Sequence, residues 1–404
     1  MTVQIYNTLT RKLEGITGRG LNPLHINMYV CGPTVYDAPH VGHGRSYIFF
    51  DVLKRALILD GYSVSHLQNF SDVDEKIDNR AKEEGVEPIR LADRYSEEFI
   101  AEMDMLGVIR PDMYVRASES RDVMHRIALS FIRKDLAYEA GGNVYFRTSS
   151  GGGYGSLLHD TLDNLITGHE ADNFRFVKEN KEDFTIWLGK FDRSNMMSGR
   201  PSWNLECFSM VHKYFGCELD IQGGGMDLIF PHHEVASVMS KAYCRVEFAD
   251  FYVHNGFVTL KKDKMSKSTN NFISVHSLLD DFSPESIRLY LLSVNFRQNI
   301  EFSITELREY EESISVLRKT ARDSGALKNE RVVGISEAEQ SGEYWSEFQS
   351  ALNRNLDTSG ATRIMMEEMK GTGFKGKEGK SDFRLMCAAL GLFNHRPSAP
   401  QSEK

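Results

Sequence analysis

Ile26-Asn27-Met28-Tyr29-Val30-Cys31-Gly32-Pro33-Thr34, followed by Pro39-His40-Val41-Gly42-His43, is the stretch on which the fold turns. Residues 26–30 are apolar apart from Asn27, and Cys31 to Thr34 is rich in turn formers, so a short strand running into a loop is predicted. Beyond the histidines, Ile48, Phe49, Val52, Leu53 and Ala56 recur at helical spacing, which predicts a helix from about Ser46 to Leu59. Gly61-Tyr62 breaks that pattern, and Ser63 to Gln68 alternates as a strand does. Strand, turn, helix, strand is a βαβ unit, and a parallel sheet is its economical packing. The expected class is α/β.

Working outward, residues from about 110 to 200 change character, with helical pieces, a Gly-rich turn from Ser149 to Gly155 and charged loops. They read as an insertion between two halves of the sheet. Strand character returns at Leu219-Asp220-Ile221 and Phe251-Tyr252-Val253. From Pro284 the pattern is helical, through Ile287, Leu291, Leu292, Leu307, Ile314 and Leu317. Gly371 to Lys377 reads as flexible, and the tail from Arg396 has the composition of disorder. There is no internal repeat.

Composition narrows the function classes. In 404 residues, 41% hydrophobic and 26% charged is the balance of a soluble globular protein. No apolar run reaches the ~18 residues of a membrane span, and the first fifteen residues lack a signal-peptide core. A cytoplasmic location is the expectation. The net charge of −9 argues against a general nucleic-acid binder while allowing a local basic face. The five cysteines, Cys31, Cys207, Cys217, Cys244 and Cys387, are odd in number and scattered, which favours buried, catalytic or metal-binding thiols over disulfides. Cys217 and Cys244 are expected to be structural.

Two segments carry phosphate chemistry. His40 and His43 stand where the first strand gives way to the first helix, the place where backbone N–H groups and the helix dipole receive anions. Gly42 between them lets a flat ring approach the backbone. Far along the chain, Lys264-Met265-Ser266-Lys267-Ser268 offers two lysines and two serines that could clamp a triphosphate and its leaving pyrophosphate. Either segment alone is a weak signal. Together, in this order, they resemble the HIGH and KMSKS signatures of class I aminoacyl-tRNA synthetases.

Further segments resemble one member of that class, the cysteinyl-tRNA synthetases. They are Met28 to Asp37, Asn69-Phe70-Ser71-Asp72-Val73-Asp74-Glu75-Lys76-Ile77, Tyr154 to Leu157 with Leu162 to Leu165, Gly223 to Glu234, and His254-Asn255-Gly256-Phe257-Val258. The likeness covers about residues 1–320 and weakens afterwards. It implies a Rossmann-type parallel-sheet nucleotide-binding domain split by an insertion and followed by a C-terminal helical domain. The divisions expected are 1–110 and 201–270 for the catalytic halves, 111–200 for the insertion, 271–370 for a truncated helical domain of stem-contact or anticodon type and 371–404 for a flexible segment. It also implies activation of L-cysteine by ATP with Mg2+ and transfer to tRNA(Cys), chiefly through the acceptor arm, with no DNA or membrane partner. His40, His43, Lys264 and Lys267 would be catalytic. Gly42, Gly224, Asp227 and Val258 would bind ATP with the two lysines, and Gly32, Tyr36, Ser71 and Trp203 would meet the amino acid.

Cys31, Cys207 and His232 match three zinc ligands of that family. Two thiolates and an imidazole suit one Zn2+ per chain and leave a position for the substrate's sulfur, a bond that serine cannot match. The family's fourth ligand, a glutamate, is replaced by Ala236, and Glu234 is expected to point elsewhere. Asn204 stands where the family has a histidine. Ala236, and the short region after Ser268, also resemble a cysteine ligase of the mycothiol pathway that acts on an amino-sugar, which is the alternative reading. A non-catalytic cysteine or zinc binder is the remote one.

Overall fold

The computed structural model describes residues 2–157, 178–260, 272–327 and 342–393, and the backbone of 263–264. Its centre is a five-stranded sheet built from β1 (His25–Val30), β2 (Ser63–Phe70), β3 (Met113–Arg116), β4 (Leu219–Gly225) and β5 (Ala249–Asn255). All neighbours run parallel in the order β3-β2-β1-β4-β5. That is a doubly wound α/β sheet. The direction of winding reverses between β1 and β4, where such sheets open a crevice beyond the carboxyl ends of the strands.

The helix after β1, α1, spans Val41–Leu59 and begins five residues earlier than its apolar spacing predicts. The reason is a cap. His40 is extended, its Nδ1 accepts the His43 N–H, and His43 Nδ1 accepts the His40 N–H. This reciprocal pairing satisfies two backbone donors that a helix end leaves orphaned. Strand β2 likewise runs two residues past its predicted end.

Between β3 and α2 (Trp203–Phe215) lies a second sheet, antiparallel, formed by 137–140, 143–146, 184–188 and 200–201. Its Val144, Phe146, Phe184 and Trp187 join a core shared with α2 and with α3 (Glu234–Tyr243).

Helices at 75–84, 88–105 and 121–133 lie between β2 and the second sheet, and helices at 275–281, 284–291, 304–324, 343–353, 358–371 and 376–390 follow β5. Arg288 fastens the latter set to the sheet domain. Fully buried, it pairs with Asp51 on α1 and donates to the carbonyls of Leu106 (3.0 Å) and Leu390 (2.8 Å). The helix Gly376–Leu390 corrects the reading of 371–404 as flexible. Phe383, Met386, Cys387 and Leu390 are spaced i, i+3, i+4, i+7 and are all buried, a period that the lysines and glycines around Gly376 obscured. Residues 394–404 lie outside the described residues.

His66 on β2 is 5% exposed, and neither ring nitrogen has a hydrogen-bond partner among the described residues. Burial, helped by Lys54, pushes its pKa down to about 3 from 6.5. The folded ring is therefore neutral while the unfolded ring takes a proton, so stability falls as pH drops from 6.5 toward 3. His66→Leu is expected to raise stability by about 2 kcal/mol more at pH 5 than at pH 8. Urea unfolding at the two values checks this, and an equal gain at both would count against it.

Candidate functional site

At the carboxyl ends of β1 and β4 lies an open cleft of about 690 Å³. Its floor follows from the first turn. Gly32 passes so close to β2 that a Cβ would lie 1.5 Å from the Asn69 carbonyl oxygen, so no larger residue fits. The Asn69 side chain holds the turn from the same side, its Oδ1 accepting the Gly32 N–H at 2.7 Å.

One wall is the start of α1. The rings of His40 and His43 stack with centroids 3.8 Å apart and 7° between planes, and both line the cleft. Gly42 lines it too. A Cβ there would meet the His40 ring at 3.0 Å, so this glycine makes room for the histidine plate. The loop before α1 is pinned by the segment leaving the lysine-rich stretch: the Val41 N–H donates to Ile273 O (2.9 Å) and the Val275 N–H to Pro39 O (3.0 Å). The entrance to that stretch is pinned as well, since Thr259 and Leu260 pair with Lys264 and Asp263. Lys267 and the side chain of Lys264 lie outside the described residues.

Asp227 and Val258 line the opposite side, with Gly225, Asn255 and Gly256. Gly224 is set behind that wall, where a Cβ would meet Leu228 at 2.8 Å and the His233 ring at 3.1 Å. Arg45, buried on α1, aims its guanidinium at the carbonyls of Phe257, Phe296 and Gln298, and so supports the segment that carries Val258. Burial lowers its pKa to about 10. On the rim, Lys76 sits over the Tyr36 ring, 5.6 Å from its centroid, and Arg80 also faces the cleft.

The sulfur cluster stands at the inner end. Cys31 and Cys207 Sγ are 3.7 Å apart, and His232 Nε2 is 2.8 Å from Cys207 Sγ. One ligand atom from each of the three residues lies within 4.8 Å of the others. Of the three, Cys31 lines the cleft. Trp203, 38% exposed on the cleft wall, stacks on the His232 ring at 3.8 Å. The two sulfurs fit a tetrahedral cation, because metal–sulfur bonds of ~2.3 Å would set them roughly 3.8 Å apart, whereas His232 Nε2, now at hydrogen-bond distance from Cys207, would draw back to about 3.5 Å from that sulfur. Burial and the neighbouring Cys31 push the Cys207 thiol well above the usual range. A cation would be needed to hold it as thiolate.

Ala236 is buried in apolar surroundings. Glu234 points away as expected, accepting from Gly155 N, Ser156 N, Ser156 Oγ and Leu157 N at 2.8–3.0 Å. Among the described residues no carboxylate joins the cluster. Asn204 donates to Thr185 O in the antiparallel sheet.

Ser71 does not line the cleft. It is 2% exposed, and its hydroxyl donates to Glu206 at 2.6 Å. Burial raises Glu206 to about 8, so it is protonated near neutrality.

The cluster is held by supports that lie outside its sequence motifs or carry no signature in them. The Tyr29 hydroxyl lies 3.0 Å from Cys207 Sγ and 2.7 Å from Asn69 Oδ1. Gln222 Nε2 donates to Cys31 Sγ at 3.3 Å. His233 Nε2 is 3.2 Å from Cys31 Sγ, its Nδ1 meets His254 Nε2 at 2.8 Å, and His254 Nδ1 meets Thr8 Oγ1 at 2.8 Å. Burial drives both histidines down, His254 to about 3, so the chain is neutral. One signal was available: polar residues such as Gln222 and His254 inside buried parallel strands require partners.

Cys217 and Cys244 correct an expectation. They are joined as a disulfide, with Cα atoms 6.0 Å apart. Their helices, α2 and α3, end side by side, which spacing along the chain does not reveal.

The family described as tRNA synthetases class I (C) catalytic domain matches residues 19–312. The chain is 37% identical to the cysteine–tRNA ligase of Maridesulfovibrio salexigens, over 93% of this chain and 79% of that protein. It is 34% identical to that of Bacillus pumilus, over 97% and 86%. Among solved structures, the methionyl-tRNA synthetase of Mycobacterium tuberculosis in complex with methionyl-adenylate superposes with a TM-score of 0.61 at 15% identity, covering 90% of this chain and 89% of that one. That likeness carries the fold alone. No described helix is long and apolar enough to cross a membrane.

Proposed function

The chain belongs to the cysteinyl-tRNA synthetase family of class I ligases, and we propose that it activates L-cysteine with ATP and passes the cysteinyl group to tRNA(Cys). The observation that carries this reading is the meeting of two thiols and an imidazole beside a cleft walled by two stacked histidines. A Zn2+ held by Cys31, Cys207 and His232 would supply a Lewis acid that favours the substrate's thiolate over a hydroxyl. The amino acid would lie near Cys31 with Gly32, Tyr36 and Trp203 about it. Ser71 would act from behind, through Glu206.

ATP, with Mg2+, would run from Gly42 to Val258 past Asp227, which suits the ribose hydroxyls, while Gly224 would serve from behind the wall. A carboxylate oxygen of cysteine attacks the α-phosphorus, and the bond to the β-phosphate oxygen breaks to release pyrophosphate. His40 and His43, at the positive end of α1, would stabilise charge on the phosphates in that step. Lys264 and Lys267 would follow the leaving pyrophosphate. The anchoring of the loop's exit beside His40, and of its entrance in a hairpin with Thr259 and Leu260, supports that role. In the second step a hydroxyl of the terminal ribose of tRNA takes the acyl group and AMP leaves. The domain division fits this reading: residues 1–110 and 201–270 would form the catalytic halves, 111–200 the insertion and 271–370 the stem contact.

The test has two arms. Cysteine-dependent ATP–pyrophosphate exchange is expected, with serine at least ~10⁴-fold poorer in kcat/KM, the scale reached when a site bonds a group that its competitor lacks. Charging of tRNA(Cys) is then compared with acylation of an amino-sugar. No exchange with cysteine would sink the proposal. Acylation of the amine alone would move the acceptor to the alternative class.

A further inference from the structure

Away from the cleft, the C-terminal ends of α2 and α3 hold a second group of sulfur and imidazole. The Cys217–Cys244 bond is accompanied by His212, whose Nδ1 lies 3.9 Å from Cys217 Sγ. The three residues are half-buried, with ligand atoms within 4.8 Å of one another. Cys217 and Cys244 are half-buried and their chain neighbours Gly216, Glu218, Arg245 and Val246 are exposed, which places the bond at the surface.

The helices it staples are the two that bear on the cleft cluster. Cys207 lies in the first half of α2, and His232 and His233 immediately precede α3. From Cys207 to the end of α2 is about 12 Å of helix. The space between is filled by rings: Phe208 and His212 are stacked at 5.8 Å, Tyr243 meets His212 edge-on at 5.4 Å, and Tyr243 meets Phe208 at 6.1 Å. These rings form a continuous line of packed side chains from the staple to Phe208, the residue next to Cys207.

We propose that Cys217–Cys244 is a reversible thiol–disulfide site that exchanges with low-molecular-weight thiols, and that its state sets how firmly α2 and α3 hold Cys207 and His232 together. In opening, a small thiolate attacks Cys244 Sγ, the disulfide breaks, and Cys217 departs as thiolate. A second small thiolate attacks the outer sulfur of the mixed disulfide, frees Cys244 and leaves as the small disulfide. The two protons of the small thiols end on Cys217 and Cys244, and two electrons pass from the small thiols to the protein. His212 is a positioning residue. Its Nδ1 lies 3.3 Å from Gly216 O and 3.9 Å from Cys217 Sγ; a proton there that turns from the carbonyl to the departing sulfur stabilises Cys217 as the leaving group, and a better leaving thiolate speeds exchange.

The experiment uses the zinc-loaded protein equilibrated with graded ratios of reduced to oxidised glutathione. Cys217 and Cys244 are trapped by alkylation and quantified by mass spectrometry. The KM for cysteine in pyrophosphate exchange and the rate of zinc loss to a chromogenic chelator are measured on the same samples. Reversible opening with an unchanged circular dichroism spectrum is expected, with KM and zinc loss about fivefold higher in the open form, the low end of coupling between sites. The Cys217→Ser/Cys244→Ser variant should match the open form and ignore the glutathione ratio. His212→Gln should slow opening by about tenfold, through a poorer leaving thiolate.

A bond that stays closed in millimolar reduced glutathione overturns the proposal, as does opening with KM and zinc loss unchanged. Trapping and zinc loss are read without catalysis, so absent pyrophosphate exchange would count against the proposed function and leave this site to be judged separately.

Discussion

Cys207→Ser is expected to lower kcat/KM for cysteine activation by about 10³-fold, approaching the discrimination lost when a site can no longer make its specific bond, and to bring bound zinc well below one per chain. Cys207 is the hinge of the cluster. Its sulfur faces Cys31 at 3.7 Å, His232 at 2.8 Å and the Tyr29 hydroxyl at 3.0 Å. A serine oxygen is smaller and harder, and it remains protonated where a thiol would yield its proton to a metal. The Tyr29 hydroxyl, kept protonated by burial and then by the cysteines beside it, would still find an acceptor in Asn69. The loss should therefore fall on metal and cysteine more than on folding. Metal content by plasma mass spectrometry and pyrophosphate exchange check this together. Cys387→Ser is the control, since Cys387 is buried in the helix 376–390, away from the cleft. Full zinc and full activity in Cys207→Ser would remove the sulfur cluster from the reaction.

His43→Ala is expected to reduce kcat and kcat/KM together by about 10²–10³-fold, the loss typical of removing one preorganised group that acts on transition-state charge. It should also destabilise the fold by about 1 kcal/mol, because His43 Nδ1 is the acceptor for the His40 N–H in the helix cap. The two effects can be separated. Glutamine is a natural partner at the third position of a capping box, so His43→Gln is expected to regain most of the stability while kcat stays low. Thermal melts and single-turnover adenylation on both variants measure this. Recovery of kcat along with stability would show that the ring serves the helix end alone.

Legibility in the sequence differed from one residue to another for identifiable reasons. The helix α1 was readable because Ile48, Phe49, Val52 and Leu53 repeat at its period, yet its true start at Val41 was not, because a cap made by two histidines falls outside the usual serine, threonine and aspartate signals. That Cys31, Cys207 and His232 belong together was readable from residue type and resemblance, and the fold does group them. Their supports, Tyr29, Gln222, His233 and His254, were not, since each acts only through what the fold sets opposite it. Ser71 was read as a surface of the amino-acid site and is instead turned toward Glu206.

What the sequence determined by itself is the alternation of apolar periods and turns that yields a parallel sheet, together with the chemical types of the groups the cleft contains. Those properties are local, written within a few residues of each position. Only the tertiary structure decided which distant groups touch: Cys31 with Cys207 across 176 positions, Cys217 with Cys244 across 27, and the burial that holds His233 and His254 neutral. The physical reason is that burial and contact are set by how whole helices and strands pack, and a single chain's local pattern does not encode which surfaces of that packing meet.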